Sequence, residues 1–163
     1  MLYRKNKVEL VGKVVYLGLK LEDLDLSILE LIINNKQILV PIATKHLQAH
    51  LKLNTNVSVE GIIKSIGDIP YVHVNKFSIE KKRASHQYIE LTGTIEEKKG
   101  ADLYVFNTGT ESVIVKLVIA DRKVVKYNTV TNLKCLFRSP LVLDKNRLDL
   151  SSIKLHGINL TNL

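Results

Sequence analysis

The chain has 163 residues, 45% hydrophobic and 25% charged, a balance that suits one medium domain or two small ones and argues against disorder outside the ends and one connector. A formal net charge of +8 fits an anionic partner, although charge speaks to association and solubility rather than to fold. The single cysteine, Cys135, excludes an intrachain disulfide, and no CxxC or CxxH spacing offers a zinc site. No window approaches about 18 uninterrupted apolar residues, and MLYRKNKVEL lacks an apolar stretch of signal-peptide length. These features predict a cytoplasmic protein with no membrane span.

Taken in chain order, VELVGKVVY (8–16) alternates and is β-branched, with Gly12 where a bulge or sharp bend is tolerated. LSILELII (26–33) and QILVPIA (37–43) are apolar runs separated by NNK, a hairpin signal. TKHLQAHLKL (44–53) places Leu47 and Leu51 at helical spacing behind Thr44 as N-cap. VSVEGIIKS (57–65), a GDIP turn and YVHVNKFSI (71–79) follow, and EKKRASH (80–86) is a charged connector. The order then repeats: QYIELTGTIEE (87–97), ADLYVFN (101–107), ESVIVKLVI (111–119), a turn or short helix at ADRKVVKY (120–127), NLKCLFRS (132–139) and NRLDLSSIKL (146–155).

Three segments match between the halves. KVELVGKV (7–14) returns as YIELTGTI (88–95), KLNTNVSVEGIIKS (52–65) as KYNTVTNLKCLFRS (126–139), and YVHVNKFSI (71–79) as RLDLSSIKL (147–155). The offsets are 81, 74 and 76 residues, in one order, which marks a duplicated unit. Five strands with a helix between the third and fourth is the layout of the OB-fold, a small partly open Greek-key barrel. The expectation is an all-β chain with short helices, built as two tandem OB-fold five-stranded Greek-key barrels. The first spans 1–80, a linker 81–86, and the second 87–163.

NKVELVGKV (6–14) resembles the opening strand of bacterial single-stranded DNA-binding proteins, with its Asn, basic residue, alternating aliphatics and Gly. NVSVEGIIKS (56–65) resembles that family's fourth strand, with its Val-Glu-Gly; in the second half Lys134 and Cys135 replace Glu60 and Gly61. The resemblance implies an OB-fold that binds single strands and assembles with others of its kind, and two per chain imply a homodimer. Members of the family commonly end in an acidic tail, whereas no acidic residue follows Asp149 here. That points to a tailless primosomal, plasmid or phage accessory type.

Single-strand binders need cations along the phosphates and flat side chains under the bases. The chain supplies 24 Lys and Arg but only three Phe, six Tyr and no Trp, so charge carries more of the affinity. Residues 1–83 hold 13 basic and 8 acidic residues, and the remainder 11 and 8. Tyr104 and Phe106 share one face of a strand. If Leu103 and Val105 point inward, the two rings form a stacking platform on the outer face of the second strand; otherwise they are core. Lys116 breaks an apolar strand and marks a solvent or ligand face. Tyr16 and Tyr71, with Lys13, Lys36, Lys64 and Lys76, are the first-half candidates, and Arg138 and Arg147 flank the corresponding loop of the second half. Glu22, Asp23 and Asp25 in LEDLDL argue against phosphate binding at the first loop, or for a basic protein partner there.

Catalysis has no such support. His46 and His50 in HLQAH lack the Glu of a zinc peptidase, and no glycine-rich phosphate loop or GxSxG occurs. No metal or cofactor is expected. The expected function is binding of single-stranded DNA, or RNA, with little sequence preference, accessory to replication, recombination or DNA transfer. The alternative is a scaffold for replication, phage or conjugation proteins without direct nucleic-acid binding.

Overall fold

β-Branched and alternating segments dominate the chain, and most form strands in the computed structural model, which describes residues 5–44, 51–81, 84–118, 125–142 and 145–159. The first half contributes β1 (Lys5–Leu21), β2 (Leu24–Ile33), β3 (Lys36–Ala43), β4 (Asn56–Ile66) and β5 (Ile69–Ile79). The second contributes β6 (His86–Gly100), β7 (Leu103–Asn107), β8 (Ser112–Val118), β9 (Val130–Arg138) and β10 (Lys154–Asn159). Two 3-10 turns, Lys145–Arg147 and Leu150–Ser152, precede β10. The helix expected at 44–53, with His46 and His50, falls largely outside the described residues, as does most of 120–127. Among the described residues no helix is long and apolar enough to cross a membrane.

All ten strands belong to one sheet, yet its pairings close on themselves twice. β1 pairs with β2, β2 with β3, β3 with β5 in parallel, β5 with β4, and β4 with β1 again. In the second half β6, β7, β8, β10 and β9 form the same ring, with β8 and β10 parallel. Each ring leaves few free edges, which is how a small all-β unit limits unpaired backbone. One continuous core fills both rings, from Leu10, Ile28 and Ile63 to Ile89, Phe106 and Phe137.

The rings are joined by antiparallel pairing of β1 with β6, in which Val8 faces Ile89. These two are counterparts at the repeat offset of 81, so a local two-fold axis passes between them. The second repeat is kept in register as well: Val8 opposes Gly61 in one ring, and Ile89 opposes Cys135 in the other. Gly12 and Gly93 mark the matching bend. A Cβ on Gly12 would lie 2.8 Å from the Glu30 carbonyl oxygen, and one on Gly93 1.9 Å from that of Asn107. Bulges follow at Val14/Tyr16 and at Ile95/Glu97, so both strands turn at the same point to meet the next strand of their ring.

The third repeat differs from the expected alignment. Ile63 opposes Val72 and Phe137 opposes Leu155, so the counterpart of YVHV (71–74) is KLHG (154–157), at an offset of 83. His73 therefore matches His156. The cause is the connector: a tight turn at 67–68 joins β4 to β5, whereas residues 139–153 carry the chain from β9 to β10. RLDLSSIKL alternates because its apolar side chains pack this excursion, and only its last two residues are strand.

Candidate nucleic-acid interface

The outward side chains follow from the pleat. On β8, β9 and β10 the buried positions include Val115, Leu133, Cys135, Phe137 and Leu155, which turns Lys116, Lys134, Arg138, Lys154 and His156 outward. The register sets His156 beside Lys116 and Lys154 beside Arg138. No Asp or Glu stands in these three strands. Glu90 opposes Lys134 but is already bound to Lys5 at 3.0 Å. Asp149, close enough to Lys154 for its charge to act, accepts hydrogen bonds from Ser151 at 2.7 and 3.0 Å. The local field shows at His156, held below its ordinary pKa first by burial and then by Lys116 and Arg138.

The equivalent face of the first half has other chemistry. By register, Ala43 stands where Lys116 does, Tyr71 where Lys154 does, and Glu60 where Lys134 does. Leu26, Ala43 and Tyr71 form a small apolar cluster there, covered by Leu150 from the excursion of the other half. The second half is covered in return along β7 and β8, where Val105 and Ile114 are buried on the outward side. The end of β4 meets that edge: Ser65 Oγ accepts the Ile114 N–H at 3.3 Å, and Lys64 Nζ lies 3.6 Å from Glu111. The outer face of the second and third strands, the expected ligand surface, is thus partly occupied by the molecule itself.

Of the two readings of LYVFN, the structure takes the one in which Tyr104 and Phe106 are core rather than a stacking platform. Phe106 is 0% and Tyr104 4% exposed, because both rings point into the core while Leu103 and Val105 take the other face. Truncating a buried ring of this kind costs about 3–5 kcal/mol, so these residues hold the fold together. Tyr71 is 7% exposed, and burial, then Glu111, pushes its hydroxyl pKa up. Tyr16 packs against the core beside the β1 bulge.

The remaining expected residues divide. Lys64 is engaged by Glu111, and Lys76 opposes Glu60 across the β4–β5 ladder. Lys13 opposes Glu30 and Asn56. Arg147 is exposed on the first 3-10 turn, apart from the strand face. Lys36 and Arg138, from opposite halves, line one hollow. Sequence reasoning missed Lys134, Lys154 and His156, whose shared face depends on the true position of β10. It also missed Tyr127, which is exposed, with its ring centroid 6.4 Å from that of Tyr104. The acidic positions Glu22, Asp23 and Asp25 are exposed at the β1–β2 turn. Among the described residues no group of three His, Cys, Asp or Glu is placed to hold a metal ion.

Two closed five-stranded rings, paired through their first strands, define the fold class. No family model matches the sequence, and no curated protein does. Solved structures share the fold. The wild-type single-stranded DNA binding protein from Thermus aquaticus matches with a TM-score of 0.55 and 10% identity, covering 96% of this chain and 91% of that one. A deletion mutant of the same protein (residues 228–252 removed, R190A) matches with a TM-score of 0.54 and 10% identity, over 96% and 92%. The chain therefore shares the fold of that Thermus aquaticus protein along nearly its whole length.

Proposed function

We propose that the chain is a tandem pair of OB-folds, 1–80 and 87–163 joined by 81–86, that binds single-stranded nucleic acid, DNA before RNA. The observation that carries this reading is the outward face of β8, β9 and β10, where Lys116, Lys134, Arg138 and Lys154 gather with no carboxylate in the same strands. Such a face tracks phosphates. The fold shared with the Thermus aquaticus single-stranded DNA binding protein supports the same ligand class. With Tyr104 and Phe106 inside, few rings remain to stack on bases, so sequence preference is weak. Binding rather than catalysis is the proposed activity, in an accessory role in replication, recombination or DNA transfer.

The test is a titration of labelled oligo-dT and oligo-U across salt concentrations. If all four cations meet phosphates, the logarithm of affinity falls with the logarithm of salt at a slope of about −3, or about −0.7 per phosphate on a single strand. Lys116→Ala with Lys154→Ala should bring the slope to about −1.4. Absence of binding to either oligonucleotide at low salt overturns the reading.

A further inference from the structure

A hollow of about 290 Å³ lies at the seam between the halves. Lys36 and Asn34, from the β2–β3 turn of the first half, form one side, and Leu136 and Arg138 of β9 form the other. Ser85 and His86, where the connector enters β6, lie between them. A second hollow of about 400 Å³ shares Ser85 and continues past Ile32 to Lys13, Asn54 and Asn56, with Glu30 opposite Lys13 in its lining. Arg138 belongs both to this seam and, beside Lys154, to the cationic strand face. The two surfaces are therefore continuous.

Neither Lys36 nor Arg138 has a carboxylate within ion-pairing distance among the described residues, and none lines the smaller hollow. The fold does not require two cations here, as the pseudo-symmetric seam shows. By register Lys64 corresponds to Arg138, and Glu111 lies 3.6 Å from it; the β7–β8 ladder ends at Asn107 and Ser112, short of any counterpart of Lys36. One seam is closed by an ion pair and the other is left open and positive.

Building on the single-strand reading, we propose that the open seam is a phosphodiester-binding saddle. Through it one nucleic-acid strand crosses from the β8–β9–β10 face, over Arg138 and Lys36, onto the first half. The ligand contact is phosphate with cation, and the strand must be long enough to span both halves. A short strand is held by the face alone.

The experiment compares Lys36→Ala, Lys116→Ala and Lys20→Ala on dT strands of about 5 and about 20 nucleotides, the shorter within the span of a single OB-fold. Lys36 and Lys20 are both exposed, so neither substitution threatens folding, and Lys20, in the β1–β2 hairpin, controls for net charge. The expected result is that Lys36→Ala weakens only the long strand and makes its salt slope shallower by about 0.7. Lys116→Ala should weaken both strands. If Lys36→Ala acts equally on both lengths, acts no more than Lys20→Ala, or leaves the long strand untouched while Lys116→Ala weakens it, the saddle is overturned and the single-strand reading stands. If the wild-type chain binds neither strand, both fall.

Discussion

His156 lies half-buried between Lys116 on β8 and Arg138 on β9, and burial with the two cations depresses its pKa below the ordinary 6.5. Unfolding frees the imidazole to take up a proton that the folded chain resists. Its contribution to stability is therefore complete above about pH 6.5 and is lost as pH falls through the lower, folded pKa. Urea midpoints of the wild type should drop more steeply than those of His156→Gln between about pH 7.5 and pH 5.5. Parallel curves would mean that neither burial nor the two cations shifts this ring. At the same scale, Tyr104 and Phe106 show what a residue pattern leaves undecided. β7 reads LYVFN, apolar on both faces, so alternation separates the rings from Leu103 and Val105 without saying which pair is inside. Volume decides it, because a small ring of strands needs large side chains at its centre.

At the scale of the strand, the repeated opening phrase has a mechanical role. Asn6 falls opposite Ile63 at the point where the β1–β4 ladder has ended, and its side-chain amide replaces the missing peptide. Asn6 Nδ2 donates to the Ile63 carbonyl at 3.0 Å, and the Ile63 N–H donates to Oδ1 at 2.7 Å. The counterpart Gln87 accepts the Phe137 N–H at 3.0 Å. Asn6→Ala should cost about 1–3 kcal/mol, since it strands a donor and an acceptor beside the core, and should speed hydrogen exchange at the Ile63 amide. Unchanged exchange there would refute that role. The strands themselves were legible from alternation, and two repeat registers from matched residues. The third was not, because an excursion inserted between β9 and β10 shifted the spacing and its packing imitates a strand.

At the scale of the whole molecule, two serines that recur in the sequence brace one half against the other. Ser139 Oγ accepts the Leu39 N–H at 2.8 Å, and Ser65 Oγ accepts the Ile114 N–H at 3.3 Å, each across the seam. Together with the shared core and the β1–β6 ladder, they predict a single unfolding transition. Ser139→Ala should lower stability by about 1 kcal/mol without splitting that transition. A two-step melt of the wild type would show that the halves fold independently. The matched segments of the two halves are legible in the sequence. The mutual covering of the halves is not, because it depends on contacts between residues about 50 to 100 positions apart.

The facing of Val8 by Ile89 has a consequence for what sequence change can achieve. In a pair of identical subunits meeting on such an axis, every substitution is made twice, so a lysine gained on one face is gained on the other. Here the two sides are written separately, and Lys116, Lys134 and Lys154 occupy the positions that Ala43, Glu60 and Tyr71 hold in the other half. Joining the copies in one chain releases them from that duplication of change. One side is free to specialise for contact with a ligand while its twin specialises for holding the assembly together.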